Sequence, residues 1–231
     1  MDIRILQLID GAKEAVGLTV IIDVFRAFSL ECYLYDKGAE CIIPIGNIED
    51  AYKLKEENKD RILVGERQGK KCEGFDYGNS PYEIKDMSFK GKTIIHTTSS
   101  GTQGITNAKN TEEIITGSLV NAKAIAEYIK MKNPEHVSLV CMGNGGVSEA
   151  KEDILCATYI KSLLINEDFD IESKLVDLKV DGGEHFFISN NKDIFPEEDF
   201  WMCTKVNIFS FVLKVKNTEI GENIIIKENI Y

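Results

Sequence analysis

The sequence predicts an α/β fold: a three-layer α/β/α arrangement around a mostly parallel or mixed sheet, with short additional strands near the C-terminus. Two observations carry this. Short apolar runs alternate with stretches of helical period along most of the chain, the rhythm of βαβ units. One of those runs, opening the stretch Thr19 to Ala27, is apolar and rich in β-branched residues up to the carboxylate Asp23 that ends it, the pattern of a strand buried on both faces.

Taken in order, Ile3 to Ile9 alternates well enough for an edge or hairpin strand, and Gly11 and Gly17 bracket a loose connection. After the buried strand, Ala27 to Lys37 reads as a helix stopped by Gly38. Glu40 to Ile45 is a second strand, Ile48 to Asn58 an amphipathic helix, and Arg61 to Val64 a short third strand running into Gly65-Glu66-Arg67. Gln68 to Met87 is irregular and holds the turn Asn79-Ser80-Pro81. Connections this long inside a compact domain tend to be functional. Lys92 to Thr97 is a strand followed by Thr98-Ser99-Ser100-Gly101-Thr102 and a helix to Lys109. Glu113 to Thr116 and His136 to Cys141 are further strands, each followed by a helix, Asn121 to Met131 and Glu149 to Leu164. Beyond Asn166 the pattern loosens, and Phe186–Ile188, Phe209–Val215 and Ile224–Ile226 read as short antiparallel additions or a small cap. One domain over residues 1–231 is expected, with a small C-terminal extension from about residue 167 as the alternative.

The formal charge of -11 provides no basic surface for nucleic acid, and no apolar run is long enough to span a membrane. Met1-Asp2-Ile3-Arg4 does not open a signal peptide, so a cytoplasmic location is expected. Six cysteines without a C-x-x-C pair read as reduced thiols, and the three histidines lack zinc spacing. In so acidic a chain, an anionic substrate has to be held by a local group of cations or by a metal.

Four strands run directly into polar or glycine-rich tails: Asp23/Arg26, Glu66/Arg67, Thr97–Thr102 and Gly143–Asp153. Ligands of open parallel sheets bind beyond the carboxyl ends of the strands, so all four tails are expected on one edge. Each has an ordinary alternative. Asp23 and Arg26 can form a structural ion pair at a strand–helix corner. Ser99, Ser100, Gly101 and Thr102 can hold an anion at a helix start or simply cap the helix. Glu149, Glu152 and Asp153 suit the helix dipole, but also a hard oxygen site for Mg²⁺. Arg26 and Arg67, two of only four arginines, suit bidentate recognition of phosphate, carboxylate or sulfonate. Asn79, Ser80 and the loop at Gly143 complete the candidates.

These motifs together resemble the magnesium-dependent 2-phosphosulfolactate phosphatases, enzymes of coenzyme M biosynthesis in methanogens with bacterial relatives. The matching blocks are Asp23-Val24-Phe25-Arg26-Ala27, Gly65-Glu66-Arg67-Gln68-Gly69 and Gly74-Phe75-Asp76-Tyr77-Gly78-Asn79-Ser80-Pro81. Thr97-Thr98-Ser99-Ser100-Gly101-Thr102, Gly117-Ser118-Leu119-Val120-Asn121 and Glu152-Asp153-Ile154-Leu155-Cys156-Ala157 follow in the family's order. The chain departs from the family at Phe28-Ser29-Leu30 and at Ser100, and neither change removes a charge.

The resemblance implies a Mg²⁺-dependent phosphatase that hydrolyses 2-phospho-3-sulfolactate to 3-sulfolactate and phosphate. Asp23, Glu66, Glu152 and Asp153 are then the expected metal ligands, and Asp23, Arg26, Glu66 and Asp153 the expected catalytic groups. Arg67, Asn79, Ser80, Ser99–Thr102 and Gly143 are expected on the substrate, a small polyanion. Asp23-Val24 is similar to the start of the aspartyl-phosphate phosphatases of the haloacid dehalogenase type, but Phe25 stands where their second aspartate belongs, which favours metal-activated water over an aspartyl nucleophile. The competing readings are a phosphatase of another small phosphorylated carboxylic acid and a non-catalytic anion-binding module. A homodimer is expected on frequency alone.

Overall fold

The computed structural model describes residues 1–218 and 223–230, and among them ten strands form a mixed sheet flanked by eight helices. β1 (Asp2–Gln7), β8 (His136–Cys141), β2 (Gly17–Ile22) and β7 (Thr111–Gly117) run parallel to one another on one flank. β3 (Cys41–Pro44), β6 (Thr93–Thr97) and β4 (Ile62–Arg67) run parallel on the other, with the two-residue β5 (Lys70–Lys71) at its edge. Between the flanks lies an antiparallel ribbon, β9 (Phe211–Asn217) and β10 (Asn223–Asn229). The late strands are thus antiparallel as expected, but they join the two flanks and do not form a cap.

Alternation along each strand divides the core into two faces. Ile21, Val140, Leu213, Ile225, Ile42, Ile94 and Val64 pack on one face, with Ala12 of α1 (Leu8–Glu14), Phe28, Leu30 and Leu34 of α2 (Ala27–Asp36) and Ile105 of α4 (Gly101–Asn107). Their strand neighbours turn the other way. Val20, Ile22 and Leu139 meet α5 (Ala122–Lys132) and α6 (Lys151–Ile165), while Ile43, Ile95 and Leu63 meet Ala51 and Leu54 of α3 (Ile48–Glu57). The result is the expected three-layer α/β/α sandwich. Nine of the ten residues of α2 are buried, because its outer side is covered by α8 (Glu197–Cys203). A helix enclosed in this way is largely apolar all round, which Phe28, Leu30, Cys32 and Leu34 supply, with the buried Glu31 as an exception. α7 (Ile171–Val180) and the turns of residues 184–191 complete the helical C-terminal region, with Phe186 in a short 3₁₀ turn where a strand was expected. All six cysteines are free.

Two antiparallel seams separate β7 from β10, and a third separates β10 from β3, so the flanks run in opposite directions. The tails after β2 and β8 therefore do not share a sheet edge with those after β4 and β6. Right-handed twist brings them together. At roughly 20–25° per strand pair, the six steps from β2 to β4 accumulate about 120–150°, which turns two opposed strands to point nearly the same way. α2 and α4 pack on one face against strands of both flanks, and the four tails meet in one cleft.

Candidate active site

The tails enclose a cleft of about 300 Å³ lined by Asp23, Phe25, Arg26, Glu66, Gln68, Asn79, Thr98–Ser100, Gly143–Gly145 and Phe195. Asp23, the residue after β2, is 5% exposed, and its Oδ1 accepts the Ala27 N–H at the start of α2. Gly101 is packed beneath it. A Cβ there would lie 3.0 Å from Asp23 Oδ2 and 2.9 Å from Phe28, so only glycine allows this approach.

Glu66 points into the cleft from β4. Its Oε1 accepts the Ser99 N–H at 2.7 Å, and its Oε2 accepts the Gly69 N–H at 2.7 Å and the Ser99 hydroxyl at 3.2 Å. The carboxylate therefore fastens the turn after β4 to the turn after β6. Asp153, in the first turn of α6, does the same for the other flank. Its Oδ1 accepts the Val24 N–H and its Oδ2 the Gly143 N–H, each at 2.8 Å. Gly143 sits at φ +63°, and a Cβ there would lie 2.1 Å from the Ser148 carbonyl, so the tight turn that aims its N–H at Asp153 requires glycine.

Asp153 and the buried Glu152 lie behind the cleft wall, while Asp23 and Glu66 line it. Burial, then the charges of Asp153 and Glu66, push the Asp23 carboxyl well above its usual range. Burial and Glu152 push Asp153 up to about 8, and burial, Asp23 and Glu184 push Glu152 up to about 8. These acids repel one another, and among the described residues the cation beside them, Arg26, is paired elsewhere. Hard oxygen donors around an uncompensated negative charge are the environment a divalent cation such as Mg²⁺ takes. Among the described residues, no three Asp, Glu, His or Cys side chains already form a ligand cage, so any such ion completes its shell with water and ligand oxygens.

The nearest guanidinium, Arg26, is 3% exposed and pairs not with Asp23 but with Asp199 on α8, at 2.6 Å. Its Nη1 also donates to the Ile194 carbonyl and its Nη2 to the Gly69 carbonyl, and Phe195 stacks on the guanidinium plane at 4.9 Å. Three of its five N–H groups are thereby used, and the rest remain available where Arg26 borders the cleft. Asp199 is held in turn by the Ser80 hydroxyl and the Tyr82 N–H.

The remaining expected residues divide. Asn79, Ser99, Ser100 and Gly143 line the cleft. Ser80 lines an adjacent cleft of about 430 Å³ that shares Arg26, Gly69 and Asn79 with it. The Thr102 hydroxyl is turned back onto the Thr98 carbonyl and buried, and the Ser99 N–H is already taken by Glu66, so less of this turn faces a ligand than expected. The structure does not bring Arg67 into the cleft. One residue on from Glu66, it points to the opposite side of β4, where it donates to the carbonyls of Glu66 and Gly46 and to the Thr97 hydroxyl. Asp199 and Phe195 were not legible. Asp199 stands among Glu197 and Glu198 in an acidic helix start, and its partner lies 173 positions away.

A family model described as 2-phosphosulpholactate phosphatase matches residues 4–218. A probable 2-phosphosulfolactate phosphatase of Caldanaerobacter subterraneus is 36% identical over 216 residues, covering 86% of this chain and 87% of that protein. Proteins of the same description from Clostridium tetani (34% identical, 94% of this chain and 98% of the relative) and Caldicellulosiruptor saccharolyticus (34%, 86% and 88%) match comparably.

Proposed function

This chain belongs to the 2-phosphosulfolactate phosphatase family, and from that premise we propose that it hydrolyses 2-phospho-3-sulfolactate to 3-sulfolactate and phosphate with Mg²⁺. It is a phosphoric monoester hydrolase of a small anionic ester. The observation that carries the reading is the meeting of Asp23 and Glu66, from opposite flanks of the sheet, in one small cleft beside a guanidinium with donors to spare.

Asp23 and Glu66 would hold the ion, with Asp153 and Glu152 adding negative charge from behind. Bound there, Mg²⁺ supplies charge neutralisation of the phosphoryl oxygens and lowers the pKa of water. The chain's own groups do the rest. Arg26 offers N–H donors to an anionic arm, and its fixed pairing with Asp199 sets their direction. Asn79 and Ser100 border the remaining cleft wall, and Phe25 and Phe195 exclude bulk water from one side, which strengthens every charge interaction within. Asp23 is the base placed to take a proton from an attacking water, because it lines the cleft while Asp153 lies behind it, and Glu66 holds the turns at Gly69 and Ser99 with both oxygens. At about 300 Å³ the cleft is at the lower end of the usual ligand-site range of roughly 300–1,000 Å³, which favours a three-carbon polyanion over a nucleotide.

The test is phosphate release from 2-phosphosulfolactate with Mg²⁺, compared with EDTA-treated protein and with Asp23→Asn. Turnover that survives both treatments would refute the assignment. Faster turnover of another phosphorylated carboxylic acid would move the substrate but keep the chemistry.

A further inference from the structure

Beneath the cleft, two fully buried titratable side chains have no place in the chemistry described so far. Glu31 sits midway along α2, and His96 sits on β6, both with no exposed surface. Alternation along β6 puts Ile94 and His96 on the face that α2 covers, so the imidazole meets the one carboxylate of that helix's buried side. Its Nδ1 lies 2.8 Å from Glu31 Oε1, and its Nε2 lies 3.3 Å from Oδ1 of Asn79. Asn79 is 6% exposed, and it lines both the Asp23 cleft and the adjoining one. Its Nδ2 makes no hydrogen bond within the described residues.

We propose that Glu31 and His96 are positioning residues that fix the Asn79 amide with its NH₂ group turned into the cleft, as a donor to the anionic substrate. The claim rests on the phosphatase reading of that cleft. An amide oxygen only accepts, so the contact between Nε2 and Asn79 Oδ1 needs a proton on Nε2, and Glu31 is the group that meets the other ring nitrogen. The bond made at one ring nitrogen then sets the role of the other. With Nε2 donating, Asn79 can present only its carbonyl oxygen to the histidine, so its two N–H donors face the other way. Asparagine by itself is ambiguous, since a half-turn of the amide exchanges donor for acceptor. A carbonyl turned to an anion would repel it. In a cleft already crowded with carboxylates, choosing the donor orientation decides whether a phosphate or sulfonate arm is accepted.

The experiment has two arms on the full chain. In the first, inorganic phosphate is titrated by calorimetry in the presence of Mg²⁺ against wild type, Asn79→Ala, His96→Gln, Glu31→Gln and the double variant Asn79→Ala/His96→Gln, with KM and kcat for phosphosulfolactate measured alongside. Each single change is expected to weaken phosphate binding about tenfold and to raise KM more than it lowers kcat. The double variant is expected to match Asn79→Ala, because His96 acts through Asn79. Additive losses in the double variant overturn the proposal, as does wild-type protein that binds no phosphate. In the second arm, ¹⁵N-histidine NMR of the wild-type protein reads the ring directly, independent of whether any variant folds. The His96 Nε2 is expected to carry a proton, and a bare Nε2 overturns the proposal. If wild type binds phosphate with the predicted coupling but does not turn over phosphosulfolactate, the substrate assignment fails while the positioning role stands.

Discussion

Asp199→Asn isolates the part of the site that lies farthest from it in sequence. The substitution keeps the size of the side chain and the Oδ1 acceptor for Ser80 and Tyr82, and replaces the charged acceptor facing Arg26 with a neutral NH₂ donor. Wild-type Asp199 is fully buried and Arg26 is 3% exposed, so the variant leaves a guanidinium in a dry setting without a counter-charge. Removing one partner of such a pair costs roughly 3–5 kcal/mol. The retained acceptors and the carbonyls of Ile194 and Gly69 put the expectation near the lower end, about 3 kcal/mol, which for a chain of this size is a fall of roughly 6–12 °C in Tm. Burial outweighs Arg26 and keeps the Asp199 carboxyl above its ordinary value, so the intact pair is itself a poor source of net stability. Arg26→Met combined with Asp199→Leu should therefore recover most of the loss. The assay is urea unfolding, repeated with saturating phosphate, which should restore part of the stability of Asp199→Asn by standing in for the missing charge. A loss below about 1 kcal/mol, the value for an exposed pair, would refute the claim that Arg26 is a desolvated cation held by Asp199.

Three further outcomes follow from the same geometry. Because Arg67 points away from the cleft, Arg67→Ala should change KM for the phosphoester less than threefold, while Arg26→Lys, which loses the planar fork, should raise it about tenfold or more in the same steady-state assay. Gly101→Ala places a methyl group against Asp23 and Phe28 and should cost about 1–3 kcal/mol in denaturant unfolding, with activity falling further than stability explains. Burial raises the Glu113 carboxyl, but the Lys214 ammonium and Tyr128 hydroxyl that donate to it outweigh this and hold it below its ordinary 4.5. A depressed carboxyl adds stability above its unfolded value and loses it as pH falls through the folded one. Glu113→Gln should thus cost about 1.5 kcal/mol at pH 7 and converge on wild type as pH falls through the folded value, read from unfolding free energies.

Much of the site was legible because its acids stand at the ends of apolar strands, where a charge needs a reason. The run from Thr19 to Ile22 reads correctly as a fully buried strand, and Asp23, Glu66, Asn79, Ser99, Ser100 and Gly143 do meet. What joins them was not legible. Alternation of strand and helix says nothing about direction, so the opposed flanks and the twist that reconciles them needed coordinates. α1 hid behind Gly11, and α7 and α8 behind charged, turn-rich sequence that carries little helical periodicity. Glu66 and Arg67 looked like one motif, yet adjacent residues of a strand face opposite ways. Asp199, which governs Arg26, and His96, which faces Asn79, offered only the company of other acids and an apolar strand.

The ribbon of β9 and β10 gives the fold an unusual order of assembly. Both outer portions of the sheet emerge from the ribosome before the hairpin that stitches them, and the seams it forms are narrow, a single paired residue where Ile225 meets Ile42. Until the hairpin arrives, Asp23 and Glu66 belong to two unconnected pieces of sheet. Weakening that ribbon, for example at Leu213 or Ile225, should scatter the acids of the cleft without touching one of them, so activity becomes a reporter on how late in synthesis the molecule closes.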